Sequence, residues 1–251
     1  MGAHALTHLR KICLIIISAL AAVVLLTALF YFGVLKLNNP SWTEYPVRGV
    51  DVSAYQGDID WEVLSRQGID FAFIKATEGS SFVDEYFEAN FHNAFQTHLR
   101  VGAYHFFGFD SPGETQADNF ISTVPYVDGM LPPVVDFEFY GDKAKNPPSR
   151  DSARTELRVL LDRLESHYGM KPIIYTPEKL YTFYLSGHYQ EYDIWIRSIL
   201  TAPRPLQNQA WTFWQYTDRE RLDGYMGTEY YIDMNVFNGS REEFGNYRLE
   251  R

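Results

Sequence analysis

The chain has 251 residues, of which 46% are hydrophobic and 16% aromatic, and its 32 acidic residues outnumber 22 basic ones for a formal net charge of −10. This length is enough for one sizeable core, and an α/β barrel of this size is ordinary. Nucleic-acid-binding proteins usually carry an excess of basic residues, whereas this chain has an excess of acidic ones, so we expect no nucleic acid partner. We interpret the acidity as a means of solubility rather than of attraction to an anionic polymer.

An apolar segment without charged residues runs from Ile12 to Leu35. It has roughly the 20 residues that a helix needs to cross a bilayer. It is longer than the apolar region of a cleaved signal peptide, and no clear small-x-small site follows it, so a retained signal anchor is favoured. Arg10 and Lys11 precede the segment and only Lys36 follows closely, which indicates a cytoplasmic N-terminus.

The sequence therefore predicts four segments. A cytoplasmic N-terminus covers residues 1–11, a transmembrane signal anchor 12–35, a linker 36–47 and a folded domain 48–251. The domain is expected on the extracytoplasmic side of the cell membrane, in the periplasm or the cell wall. Cys13 is the only cysteine, which rules out an intrachain disulfide, and the histidines show no metal-ligand spacing. We expect no cofactor and no metal.

Strand-like and helix-like segments alternate through the first half of the domain. The predicted strands are Gly49–Ser53, Phe71–Lys75, Val101–Phe107, Leu131–Glu138 and Pro172–Thr176. Of the predicted helices, one is capped by Asp60 and ends at Gly68, and a long one carries apolar residues at helical spacing from Leu157 to Tyr168. Between them, Ser111–Glu114 resembles a capping box with Pro112 at the first helical position.

The pattern changes in the second half. Ile194–Ile196, Trp211–Tyr216 and Tyr231–Asn235 are strand-like, but the segments between them lack a helical period. These observations predict an α/β fold: a single (β/α) barrel of about eight strands whose second half has lost its helices.

The fourth predicted strand ends in two carboxylates, Asp136 and Glu138. Alternate residues of a strand share a face, so these side chains are expected to project together. When two carboxyl groups lie close together, their like charges raise the pKa of one of them. The result is a proton donor beside a carboxylate, which is the pair of groups that glycosidic bond cleavage requires. The same short pattern also suits a solvated strand edge.

The barrel interpretation gives the acids a location, because chemistry in such barrels takes place at the C-terminal ends of the strands. Asp51 lies on the first strand and Asp233 on the last, and these strands are neighbours when a barrel closes. We expect Glu78, just beyond the second strand, and Gln215, on the seventh, at the same rim. A turn or capping role suits Glu78 equally well.

Several other side chains are candidates for contacting a sugar. Tyr104, Tyr175 and Trp214 offer apolar faces and polar groups suited to sugar rings, although core packing is an alternative for each. Arg197 suits either a substrate carboxylate or a salt bridge to a rim acid. We interpret His105 as a packed, hydrogen-bonded barrel residue rather than a base.

Taken together, these segments resemble glycoside hydrolase family 25, the Chalaropsis-type lysozymes. The matching stretches are Gly49–Ser53, Gln56–Trp61, Phe73–Gly79, Gly102–Phe106, Leu131–Glu138, Pro172–Tyr175, Trp214–Tyr216 and Asp233–Asn235. The resemblance implies a flattened, incomplete β/α barrel and an enzyme that cuts the β-1,4 bond after N-acetylmuramic acid in peptidoglycan. We expect a monomer.

By this resemblance Glu138 would be the general acid, with Asp136 beside it to position the substrate or stabilise positive charge. Asp51 and Asp233 would complete the acidic group. The resemblance implies retention of anomeric configuration and leaves open whether a carboxylate or the substrate's own N-acetyl group attacks. Two other interpretations stay open on the residues alone: a non-catalytic saccharide-binding barrel, and a metal-dependent hydrolase that uses the acids as ligands.

Overall fold

The computed structural model describes residues 3–32, 34–35, 38–204, 206 and 209–249. It contains two compact units, residues 1–37 and 38–251. Within the first unit, α1 (Ala3–Tyr31) includes a stretch, Thr7–Tyr31, that is long and apolar enough to cross a membrane and is not buried against protein. The predicted anchor, residues 12–35, lies on this helix as far as Tyr31. Of the predicted segments, residues 1, 2, 33, 36, 37, 205, 207, 208, 250 and 251 lie outside the described residues.

The second unit is built on one sheet. Its strands are β1 (Arg48–Val52), β2 (Phe71–Glu78), β3 (Phe82–Val83), β4 (Arg100–Phe106), β5 (Val134–Asp136), β6 (Ile173–Pro177), β7 (Ile194–Arg197), β8 (Phe213–Glu220) and β9 (Ile232–Phe237). Its helices are α2 (Trp61–Ser65), α3 (Phe87–Ala94), α4 (Gly113–Thr123), α5 (Arg150–Tyr168), α6 (Glu178–Leu180) and α7 (Arg241–Asn246). A 3₁₀ turn at Ala54–Gln56 and a π turn at Tyr181–Leu185 complete the unit.

Eight of these strands close into a barrel. Their order is β1-β9-β8-β7-β6-β5-β4-β2, and β1 also pairs with β2, while β3 extends the edge of β2. Every neighbouring pair in the barrel is parallel except those of β9, which runs antiparallel to β1 and β8. The described parts of 198–212 and 221–231 contain no helix, so the predicted helix-poor second half is confirmed.

Alternation along the strands separates two cores. The inner core is mainly aromatic and consists of Val47, Phe71, Phe73, Leu131, Val134, Ile173, Tyr175, Trp195, Phe213, Phe237 and Phe244. The outer core lies between the strands and the helices. Glycine makes room for the inner rings: a Cβ at Gly49 would lie 2.3 Å from the Phe71 ring, and one at Gly102 would lie 2.6 Å from the Phe73 ring.

The predicted capping box at Ser111 is wrong. Helix α4 begins at Gly113 with Pro112 as its N-cap and has no side-chain cap. Instead, the Gly113 amide donates to Glu156 Oε2 of α5 at 2.6 Å. A Cβ at Gly113 would lie 2.0 Å from the Glu156 carbonyl oxygen, so glycine permits a tertiary contact that replaces the local cap.

The segment predicted as a linker packs against the barrel from Asn38 onward. The Asn38 amide donates to the Ser198 carbonyl at 2.9 Å, and Val47 is fully buried. The Trp42 ring lies 4.0 Å from the guanidinium of Arg48. Residues 38–47 therefore belong to the barrel unit.

His105 lies on the outer face of β4, where it is fully buried. Its Nδ1 bonds Thr77 Oγ1 at 2.7 Å and its Nε2 bonds Gln116 Oε1 at 3.0 Å. Burial is the main cause that lowers its pKa from 6.5 to about 4. The imidazole is therefore neutral at neutral pH and serves packing.

We expect Gly49→Ala to lower the free energy of unfolding by about 3 kcal/mol, because the new methyl group overlaps the Phe71 ring in a filled core. Gly245→Ala in α7 is the matched control, since a Cβ there meets nothing within 4 Å. Urea unfolding of the two variants tests this; equal stabilities would show that the inner core relaxes to accept the methyl.

We expect the neutral His105 to make stability depend on pH. Its folded pKa lies below its unfolded pKa, so the contribution is fully present above about pH 6.5 and is lost as the pH falls toward 4. The total is about 3 kcal/mol. Urea unfolding at pH 7 and pH 4.5 should show a steeper loss for the natural protein than for His105→Gln, whereas the exposed control His188→Gln should retain the natural slope.

Candidate active site

A layer of polar side chains covers the aromatic inner core at one rim of the barrel. Because side chains alternate along a strand, several of these polar residues follow an inner-core residue two positions away, as Gln215 follows Phe213 and Arg197 follows Trp195. The layer comprises Asp51, Lys75, Tyr104, Asp136, Tyr175, Arg197, Gln215, Asp233 and Asn235. Asp233 lies near the start of β9, and it reaches the rim where the other strands end because β9 is antiparallel.

Asp51 and Asp233 lie side by side, as predicted, because they are paired directly across β1 and β9. Gln215 Nε2 donates to Asp51 at 3.0 and 3.1 Å and to Asp233 at 3.0 Å. Asn235 Nδ2 donates to Asp51 alone, at 2.7 Å. Burial raises the pKa of both carboxyls, and the charge of Asp51 raises that of Asp233 further, to well above its ordinary range.

Asp136 and Glu138 project toward the same space. Strand β5 ends at Asp136, but the Phe137 amide still donates to the Tyr175 carbonyl at 2.8 Å, so the alternation continues. Phe137 enters the outer core, which leaves the two acids on the inner side. The predicted strand extends two residues too far, because the observed strand ends at Asp136 and Glu138 lies beyond it. The two acids nevertheless share a face, as predicted.

The two acids differ in environment. Asp136 is 8% exposed, and its Oδ1 is buried without a hydrogen-bond partner. Burial, followed by the charge of Glu138, raises the pKa of Asp136 well above its ordinary range. Burial also raises the pKa of Glu138, while the nearby charges of Arg197 and Lys75 oppose that shift. Glu138 is the less buried of the two.

Two cations flank the acids. Arg197 forms a salt bridge to Asp218 at 2.9 Å, which is the second of the two roles expected for it. Lys75 Nζ bonds Glu78 Oε2 at 2.8 Å and lies 5.0 Å from the centre of the Phe106 ring. Glu78 closes β2 instead of following it.

The predicted aromatic residues separate into two groups. Tyr104 and Tyr175 lie on the inner side, and Tyr175 donates its hydroxyl to Gln215 Oε1 at 2.9 Å. Trp214 takes the alternative role of core packing, because it adjoins Gln215 on the strand and faces the outer core. Trp214 is 3% exposed and donates to the Ser198 carbonyl at 2.8 Å.

Four residues of the site were missed as candidates from the sequence: Lys75, Trp195, Asp218 and Asn235. Two of them lie two positions from a predicted site residue, so strict period-two counting from Asp233 and Arg197 finds Asn235 and Trp195. Asp218 follows a register shift between β8 and β9, which breaks that count. In the part of the chain that the structure describes, no group of three or more His, Cys, Asp or Glu side chains is arranged to hold a metal ion.

Comparisons with known proteins agree with this geometry. The family model described as glycosyl hydrolases family 25 matches residues 50–225. A family 25 glycosyl hydrolase from Bacillus anthracis superposes with a TM-score of 0.81 at 53% identity, over 86% of this chain and 98% of that one.

Two curated relatives also match. YegX of Escherichia coli K12 is 36% identical over 204 residues, covering 79% of this chain and 72% of the relative. Lysozyme M1 of Streptomyces globisporus is 33% identical over 210 residues, covering 77% and 68%. The chain belongs to glycosyl hydrolase family 25.

Proposed function

We propose that the protein is a muramidase that hydrolyses the β-1,4 bond between N-acetylmuramic acid and N-acetylglucosamine in peptidoglycan, with Glu138 as the general acid. The observation that carries this proposal is the convergence of four carboxyls, one buried and three half-buried, on one rim of a family 25 barrel. Peptidoglycan as substrate is supported by relatives named lysozyme and N,O-diacetylmuramidase.

Glu138 suits the role of proton donor better than Asp136. A general acid must be protonated before reaction and must reach the leaving oxygen. Burial raises the pKa of Glu138, so the proton is retained to higher pH, and its partial exposure leaves it within reach of a substrate. Asp136 lies deeper, and its buried Oδ1 is left for contact with the bound sugar.

The Asp51–Asp233 pair supplies negative charge close enough to act on Glu138. An oxocarbenium-like transition state gains positive charge, and a fixed carboxylate in a dry site stabilises it. Asp51 is held by amide donors from Gln215 and Asn235, so it needs little reorganisation during the reaction. A carboxylate of this group or the substrate's N-acetyl oxygen attacks the anomeric carbon as the leaving oxygen takes the proton of Glu138. Water then displaces the attacking oxygen and gives a proton to Glu138, so two displacements retain the anomeric configuration.

The N-terminal helix sets where this chemistry takes place. We propose that α1 is a signal anchor and that the barrel unit acts on the extracytoplasmic side of the cell membrane. The proposal is supported by the unburied apolar stretch Thr7–Tyr31 and by Arg10 and Lys11 near its start.

Glu138→Gln should lower the turnover of peptidoglycan by about 10² to 10⁴, because the amide cannot donate the proton that the leaving group needs. Glu165→Gln, on α5 outside the barrel, should retain natural turnover. Released reducing ends measure turnover, and mass analysis of the fragments identifies the bond. Normal turnover by Glu138→Gln, or fragments that end in reducing N-acetylglucosamine, would contradict the assignment. Glycan binding by the natural protein without new reducing ends would instead indicate a saccharide-binding barrel.

The full chain should sediment with membranes and resist extraction by alkaline carbonate, whereas a chain that begins at Asn38 should be soluble. The physical reason is transfer into lipid of the mainly apolar helical stretch Thr7–Tyr31, which has 25 residues. Recovery of the full-length gene product as a soluble protein shortened at its N-terminus would show a cleaved signal sequence.

A further inference from the structure

We propose that Trp195 and Asn235 form a positioning relay that fixes Asp51 as the ionised member of the Asp51–Asp233 pair. Neither relay residue belongs to the acidic group itself. The inference rests on the proposed function, because the relay is expected to act on catalysis through Asp51.

The relay begins at a ring that has little freedom to move. Trp195 is 2% exposed and stacks on Phe73 with 4.7 Å between ring centroids and 29° between planes. The indole also forms a T-shaped contact with the Tyr175 ring, with 4.7 Å between ring centroids and 72° between planes. The indole Nε1 therefore has a fixed direction, and it donates to Asn235 Oδ1 at 2.8 Å.

The donor-only character of the indole sets the polarity of the relay. An indole N–H cannot accept a hydrogen bond, so it requires the oxygen of the Asn235 amide to face it. The amide nitrogen must then point the other way, where it donates to Asp51 Oδ1 at 2.7 Å. The relay thus ends on Asp51 Oδ1, which must accept a hydrogen bond. This requirement favours a carboxylate over a protonated carboxyl at Asp51.

Gln215 does not create this preference. Its Oε1 accepts from the Tyr175 hydroxyl, and its Nε2 donates to Asp51 and Asp233 at nearly equal distances of 3.0 to 3.1 Å. Asn235 gives Asp51 a hydrogen bond that Asp233 does not receive. The relay is therefore a source of asymmetry within the pair, in addition to the charge of Asp218, which acts on Asp233.

The surrounding charges make such an asymmetry consequential. The titratable and charged groups that interact with the pair are Tyr104, Asp136, Glu138, Tyr175, Arg197 and Asp218. Lys75 acts on the neighbouring Asp136, and Asp84 acts on Tyr104. Arg197 stabilises negative charge on both members of the pair, and Asp218 disfavours it at Asp233. Burial makes two adjacent charges costly, so the pair holds one proton, and the relay directs that proton to Asp233.

Trp195→Phe removes the indole donor and keeps an aromatic ring in the stack. The Asn235 amide is then free to rotate, and Asp51 loses a bond that favours its charged form, so its pKa should rise. We expect the acidic limb of the pH profile of kcat/KM on peptidoglycan to move upward by about one pH unit. Trp214→Phe is the matched control, because it also loses a buried indole hydrogen bond but has no link to the pair; its acidic limb should stay in place.

An unmoved acidic limb in folded Trp195→Phe, or an equal shift in Trp214→Phe, would overturn the relay. Should Trp195→Phe fail to fold, Asn235→Asp keeps the shape of the side chain but replaces the donor nitrogen with a carboxyl oxygen. It should move the same limb upward by at least as much, and an unmoved limb there would also overturn the proposal.

A second readout does not depend on activity and separates this proposal from the proposed function. In the natural protein the ¹⁵N–¹H resonance of the Trp195 indole should titrate with the acidic pair, and the resonance of the Trp214 indole should not. Titration of Trp195 in a protein that lacks muramidase activity would support the relay and refute the function. A Trp195 resonance that does not change while activity follows the acidic limb would refute the relay alone.

Discussion

Closure of the barrel through the pairing of β1 with β9 is the interaction on which the site depends. This pairing places Asp51 opposite Asp233, and it brings Asn235 of β9 next to the same carboxyl. It also reverses the direction of the last strand, so residues at the start of β9 lie at the rim where parallel strands end. A barrel that closed with a parallel last strand would present the end of that strand here, and Asp233 would lie on the opposite side.

The aromatic inner core makes the polar layer rigid, and it makes ionisation of the carboxyls in that layer energetically unfavourable. Rings such as Phe73 and Trp195 exclude water from beneath the carboxyls, so each acid loses hydration that hydrogen bonds and nearby cations only partly replace. Burial is also the main cause that raises the pKa of Asp136, Asp233 and Glu138. The same constraint that disfavours charge in the folded state therefore favours the protonated form of Glu138, the proposed general acid.

Much of the site followed from the sequence, because period-two alternation and barrel closure are local or topological rules. They placed Asp51 beside Asp233 and Gln215 on the inner face. The same alternation, had it been applied strictly from Gln215, would have put Trp214 in the outer core. Other features depend on partners that are distant in the chain: Glu156 replaces the expected cap of α4, and a register shift in β8 brings Asp218 to Arg197. Local sequence patterns carry no signal for such contacts.

The helix-poor half of the barrel also contributes to how the site is organised. Helices cover the first six strands on the outside, whereas β7, β8 and β9 are joined by loops and supply Arg197, Gln215 and Asp233. These strands need another source of rigidity, and side-chain hydrogen bonds inside the barrel provide it: Tyr175 joins β6 to β8, and Trp195 joins β7 to β9. The bonds that hold the uncovered strands are thus the bonds that orient the amides on the carboxyls. Because of this shared use, a change in the aromatic layer is transmitted to the acids without any movement of the surrounding helices.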